Sequence, residues 1–204
     1  AVNTGTIMYC VPIMKIDEFI KEDDSLKYFM YKTCCEETAN LHFGQNWDIH
    51  WHNGKLMPTE EQYLQMITNK TSVLPRLCVR LIAGIMKEDD TEIVNFVEQL
   101  GAAFQIQDDL IAIKSDIYAK ERGILAEDIH EGKRTLIVSH AYFKSDKITD
   151  AEKSRLLEIL DMKTKDETIL REAVNILNKS GAVEYAEMRA KTMLEDAWER
   201  IDKA

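Results

Sequence analysis

The sequence predicts an all-α fold, and three observations carry that expectation. Apolar residues recur three and four apart over long stretches, the spacing of one helix face. Only three prolines and eight glycines punctuate 204 residues, too few for a β-sandwich, which needs a turn signal every ~8–12 residues. Helix start and stop signals also stand where the periodic stretches begin and end.

Taken in order, the chain opens on AVNTGTIMYC, which reads as part of a structured segment. GQNWDIHWH (Gly44 to His52) follows, with Trp47 and Trp51 expected to pack in the core and its rim. NGKLMPTEE (Asn53 to Glu61) reads as a loop, closing on Thr59 before an acidic first turn. In SVLPRLCVRLIAGIM, the residues Leu74, Leu77, Cys78, Leu81, Ile82 and Ile85 form one helix stripe. DTEIVNFVEQLGAAFQIQDDLIAI continues with Ile93, Phe96, Val97, Leu100, Phe104, Ile106 and Leu110 mostly on one stripe, and with Asp90 or Thr91 as N-cap. Lys114 to Thr135 is polar, contains Gly123 and Gly132, and reads as a loop. Thr149 and Glu152 fit a capping box. From Asp166 to Ile201 two helices are expected, divided at Ser180-Gly181. The sum is a single domain of seven or eight helices.

The formal charge of −10 disfavours nucleic acid and anionic membrane surfaces, both of which call for Lys and Arg patches. No uncharged apolar run reaches the ~18 residues that would mark a membrane span. Cys10, Cys34, Cys35 and Cys78 contain no CxxC pair. They read as buried free thiols in a reducing, cytoplasmic setting.

Four segments carry candidate chemistry. In FQIQDDLIAI (Phe104 to Ile113) two adjacent carboxylates interrupt an apolar run. Gln105 shares a helix face with Asp108 and Asp109. Burying an unpaired carboxylate is costly, so the pair reads either as a solvated edge of an amphipathic helix or as holding a divalent cation at the helix surface, for which hard oxygen ligands suit magnesium. In NKTSVLP (Asn69 to Pro75) the proline removes the hydrogen bond to the Thr71 carbonyl, bringing a carbonyl, a hydroxyl and the Lys70 ammonium together. In GQNWD, Gln45 and Asp48 share a face, whereas His50 and His52, two apart, do not and are not read as zinc ligands. EDIHEGKRT places Lys133 in a polar loop after the Asp-bearing helix.

In order and content, these pieces resemble the trans-prenyltransferases, the polyprenyl diphosphate synthases, and most of all the short-chain geranylgeranyl and farnesyl diphosphate synthases. GQNWD resembles GQxxD, NKT the lysine-threonine pair, LGAAFQIQDDLIAI the helix of the second aspartate-rich motif, and EDIHEGKRTLIVSHA the D-x-x-x-GK segment. Ser115-Asp116 matches the GD that follows that motif, and AVNTGTIMY the small-residue helix after the first motif.

The resemblance implies an isoprenoid synthase-type helical bundle lacking its N-terminal helices, with residues 1–204 forming one partial prenyltransferase domain. It implies an enzyme that condenses isopentenyl diphosphate with an allylic diphosphate to give a C15–C20 product. Asp108 would bind Mg2+, with Asp109 its neighbour through water. Lys70 and Lys133 would bind the allylic diphosphate. Thr71 and Gln105 would turn oxygen dipoles toward the developing carbocation. Gln45 and Asp48 would line the site.

Two features depart from the family pattern. Ala112 stands at the fifth position of the second motif. The first acidic motif, and the arginines that hold isopentenyl diphosphate, belong upstream of the segment on which this sequence opens. The isolated chain is therefore expected to be nearly inactive and to work as a homodimer, or as a heteromer with a chain carrying the first motif. The alternative is a non-catalytic or split subunit of a heteromeric prenyltransferase. The carboxylate, hydroxyl and glutamate triad of terpene cyclases is absent from the sequence.

Overall fold

Ten helices, and no strand, make up the described part of the computed structural model, which covers residues 2–89, 91–114 and 126–203. They are α1 (Val2–Phe19), α2 (Asp24–Gly54), α3 (Glu60–Lys70), α4 (Val73–Met86) and α5 (Thr91–Lys114), then α6 (Glu127–Glu131), α7 (Leu136–Phe143), α8 (Asp150–Met162), α9 (Glu167–Lys179) and α10 (Ala182–Ile201). The expected seven or eight fall short because two of the helices were hidden. The Lys70–Thr71–Ser72 step splits one periodic stretch into α3 and α4, and α6 is a short helix inside the polar segment read as a loop.

Local signals set most boundaries. Thr59 and Thr149 each close a reciprocal capping box, with Gln62 and Glu152, satisfying donors that a bare helix start leaves unpaired. Asp166 accepts from the Thr168 and Ile169 amides to start α9. Gly181, at φ 76°, occupies the left-handed region between α9 and α10, where a Cβ would be strained. Pro75 falls in the first turn of α4, where its missing N–H costs nothing. The expected kink is therefore a break between two helices. Asp90 and Ser115-Asp116 lie outside the described residues, and Thr91 is the first residue of α5 rather than its cap.

The core lies among α3, α5 and the later helices. Ile67, Ile106, Leu110, Ile129, Leu136, Ile137, Leu156, Ile159, Leu160, Leu170 and Leu177 are all fully enclosed. Each such side chain stabilises the fold by about 1.5–3 kcal/mol through removal of apolar area from water. α5 packs chiefly on α10, and also touches α3, α4, α6 and α7. α2 packs on α3 and α4, and α1 on α2.

The apolar stripes of α4 and α5 are only partly covered. Leu74, Ile82 and Ile85 are 60, 56 and 55% exposed, and Cys78 is also exposed. The face of α4 turned inward holds Val73, Arg76 and Ala83 instead. Arg76 bonds Glu37 on α2 and Glu98 on α5, while Arg80 adds a second bond to Glu37. Ionic pairing therefore takes the inward side of α4, and the apolar stripe is left outside. In α5, Val97, Ile106 and Leu110 are buried, but Leu100 and Phe104 are exposed. Trp47 and Trp51 stack with ring centroids 6.4 Å apart. All four cysteines are free. Only Cys34 is buried, against the expectation for Cys10, Cys35 and Cys78, because α1, α2 and α4 present those positions outward. Among the described residues, no helix is long and apolar enough to cross a membrane.

Candidate functional site

α2, α3, α5 and the turn after α6 converge on one small cavity. Asp48, Tyr63, Lys70, Gln105, Asp109 and Lys133 are in its lining. Its volume, about 20 Å³, suits a water molecule rather than a substrate, so a larger ligand would sit at its mouth.

The first wall depends on a close helix crossing. A Cβ on Gly44 would lie 2.6 Å from the Lys70 amide nitrogen and 2.9 Å from the Met66 carbonyl oxygen. Glycine therefore lets α2 and α3 touch backbone to backbone. That contact brings the buried Asp48 carboxylate to 2.5 Å from the Lys70 ammonium. Gly101 plays the same part where α5 crosses Ser72.

The second wall is the twin-acid helix. Adjacent residues on a helix are rotated by about 100°, and here that rotation separates the two acids. Asp108 is exposed, whereas Asp109 is buried. Asp109 accepts at one oxygen from the Tyr63 hydroxyl (2.5 Å) and at the other from the Gln105 amide (3.0 Å). The Gln105 carbonyl in turn accepts from the Thr71 hydroxyl at 2.7 Å. Burial first, and then the Asp128 charge, push the Asp109 carboxyl up to about 7, against the lowering effect of its hydrogen bonds. Burial and the same carboxylate hold the Tyr63 phenol well above its usual value.

The third wall is the turn after α6. Lys133 bonds Asp128 at 2.7 Å and also pairs with Glu131 at 3.0 Å. Burial alone would lower the Lys133 ammonium, but Asp128 and Glu131 raise it, so it stays charged. Burial raises the Asp128 carboxyl, Lys133 opposes the shift, and the Asp108 charge adds to it. Asp128 therefore faces the twin acids as a further carboxylate. Arg134, also buried, donates to the Gly132 carbonyl at 2.5 Å and to Asp161.

Of the residues singled out by sequence, Lys70, Lys133, Asp48, Gln105 and Asp109 share this cavity. Thr71 joins through Gln105. Asp108 and Gln45 are exposed and outside the lining. Tyr63 and Asp128 were given no role by the sequence. Asp128 stands in the quoted D-x-x-x-GK segment, and its spacing to Lys133 was the available signal. Tyr63 stands in none of the segments singled out.

Among the described residues, no group of three or more His, Cys, Asp or Glu is arranged to hold a metal ion by itself. An open carboxylate such as Asp108 suits a hard cation that keeps several waters and shares its remaining positions with phosphate oxygens.

A family profile described as polyprenyl synthetase matches residues 1–177. A geranylgeranyl pyrophosphate synthase of Penicillium shearii is 40% identical over 154 residues, 76% of this chain and 38% of that protein. One of Apiospora sacchari is 36% identical over 167 residues, 82% of this chain and 48% of that protein. The chain thus spans about half the length of these curated relatives, or less. Among solved structures, a geranylgeranyl pyrophosphate synthetase of Pyrococcus horikoshii aligns with TM-score 0.74 and 28% identity, over 91% of this chain and 55% of that one.

Proposed function

The chain belongs to the polyprenyl synthetase family, and from that premise we propose that it forms one wall of a prenyl chain-elongating site. The whole protein would condense isopentenyl diphosphate with an allylic diphosphate to give a C15–C20 isoprenyl diphosphate. One observation carries the reading. Lys70 and Lys133, 63 positions apart in sequence, line the same cavity as Gln105 and Asp109.

The reaction breaks the allylic C–O bond, and the bonding electrons leave with the diphosphate. The π electrons of isopentenyl diphosphate then form the new C–C bond, and a proton is lost. Lys70 and Lys133 bind oxygens of the leaving diphosphate and oppose the charge that develops there. The Thr71 hydroxyl oxygen and the Gln105 carbonyl turn the negative ends of their dipoles toward the allylic cation. Asp48 holds the Lys70 ammonium in place, and Gln45 stands one turn before Asp48 on the rim of the same wall.

Charge balance supports a metal requirement. Asp48, Asp108, Asp109 and Asp128 gather here with Lys70, Lys133 and Arg134, and each of these cations already has its own carboxylate. A bare diphosphate would gain little from such a site. Asp108 would hold Mg2+, with Asp109 adding charge behind it. When bound, the metal supplies Lewis-acid neutralisation of the diphosphate oxygens. An apolar groove of about 480 Å³ begins at Val73, just past Thr71, and continues along Leu74, Leu77, Leu41, Pro12 and Tyr9. It offers room for a prenyl tail.

The assay mixes farnesyl diphosphate, isopentenyl diphosphate and magnesium with the chain, alone and together with a segment or subunit bearing a first acidic motif. Negligible elongation alone and clear elongation in the assembly are expected. Full elongation by an assembly carrying both Lys70→Ala and Lys133→Ala would sink the reading. Turnover that survives Asp108→Ala would instead favour a non-catalytic subunit.

A further inference from the structure

Of the two adjacent acids only Asp108 is open. Both oxygens of Asp109 are engaged inside the protein, one by the Tyr63 hydroxyl and one by the Gln105 amide. The donations converge on Asp109, from Tyr63 on one side and from Thr71 through Gln105 on the other, and that convergence has a consequence for the amide.

In its ionised form a carboxylate can only accept, so charged Asp109 takes the nitrogen end of Gln105 and rejects its oxygen. The carbonyl oxygen must then lie on the other side, where the Thr71 hydroxyl donates to it at 2.7 Å. The reversed amide would set oxygen against carboxylate with no hydrogen between them. It would also turn two N–H donors toward the place where positive charge develops. An aspartate carboxyl is itself a loose rotor, and the Tyr63 hydroxyl, fixed on α3 in the core, stops that rotation.

We infer that Tyr63 and Asp109 are positioning residues, with the Tyr63 hydroxyl clamping the Asp109 carboxylate so that Gln105 keeps its carbonyl oxygen on the Thr71 side. This rests on the prenyl-transfer reading for its catalytic consequence, but not for its geometry. Tyr63 need not touch substrate, since it acts through Asp109 and Gln105.

Two measurements test it. In the isotopically labelled chain, Tyr63→Phe deletes one oxygen and keeps the ring. The Gln105 side-chain amide protons should then exchange with solvent about tenfold faster, while far-UV dichroism is unchanged. In the assembly that elongates prenyl chains, Tyr63→Phe should lower kcat by about tenfold to a hundredfold. KM for the allylic diphosphate and the half-saturating magnesium concentration should stay within about twofold, because the open ligand is Asp108. Unchanged amide exchange would overturn the clamp. So would an unchanged kcat, or a loss confined to magnesium half-saturation, which would make Asp109 a metal ligand instead. If Tyr63→Phe does not fold, the Gln105 side-chain amide of the wild-type chain is read directly, and exchange as fast as that of exposed glutamines would overturn the clamp. Should the wild-type assembly show no elongation at all, the functional reading fails, and the exchange rate alone still decides the clamp.

Discussion

α5 divides two regions built on different terms. On one side Ile106, Asp109, Leu110 and Ile113 face α3, α7 and α10, where nearly every large side chain is enclosed. On the other side Leu100, Phe104, Asp108 and Ile111 are exposed, as are Leu74, Ile82 and Ile85 of α4 and Met8 and Met14 of α1. The closed region is held by apolar burial. In the open region ionic bonds from Arg76 and Arg80 carry much of the helix packing, and apolar side chains remain in water. The candidate site lies on the seam, which is why two neighbouring acids meet such different surroundings.

The largest expected effect falls on the seam itself. Lys133→Ala, made together with Asp128→Asn so that no buried carboxylate is left unpaired, should cut turnover in the elongating assembly by about 10²–10³-fold, the scale of losing one charge-stabilising donor, while the melting temperature changes far less. Steady-state kinetics beside a thermal melt checks both. A melt that collapses with the activity would place Lys133 in the structure rather than in the chemistry.

Next comes a contrast in stability. Arg76→Ala leaves Glu37 buried without its main partner and should cost about 3–5 kcal/mol. Leu160→Ala, in the closed core, should cost about 2–5 kcal/mol. Ile82→Ala, on the open face, should stay within about 0.5 kcal/mol in the chain alone. Urea unfolding orders the three, and a costly Ile82→Ala would erase the distinction between the regions.

Acid should act on the open region through Glu37. Burial pushes its carboxyl up, but the Arg76 and Arg80 guanidinium groups outweigh burial and hold it below the usual value. Because the folded state binds this proton less readily than the unfolded chain does, its contribution is complete above the ordinary carboxylate value. It is lost as pH falls through the lowered one. The advantage of the wild type over Glu37→Gln should therefore shrink between about pH 6 and about pH 3 in parallel urea melts. A constant gap across that window would mean the pair carries no such linkage. The smallest effect belongs to a cap: Asp166→Ala, which frees the Thr168 and Ile169 amides, should cost about 1 kcal/mol.

Much of this was legible in the sequence, and the failures have common causes. The Thr149 capping box and the Ser180-Gly181 break were readable because a cap is satisfied within a few residues. The α4 stripe was legible as an apolar helix face, but its exposure was not, because periodicity reports that a face is apolar, not that something covers it. The inward side of α4 was invisible because its partners, Glu37 and Glu98, are far away in sequence. Lys70, Lys133 and Asp109 were found through motif order, and the cavity they share is geometry that no spacing rule supplies. Tyr63 escaped because its hydroxyl finds Asp109 across 46 positions.

Gly44 and Gly101 stand on either side of the step between α3 and α4, each pressed against its neighbour at a separation that admits no side chain. Such a joint has little freedom to slide, since any translation opens a void or drives atoms into overlap. Lys70 and Thr71 are therefore mounted on an anvil. Whatever reshaping accompanies capture and release of a substrate has to be done by the parts that close down upon it.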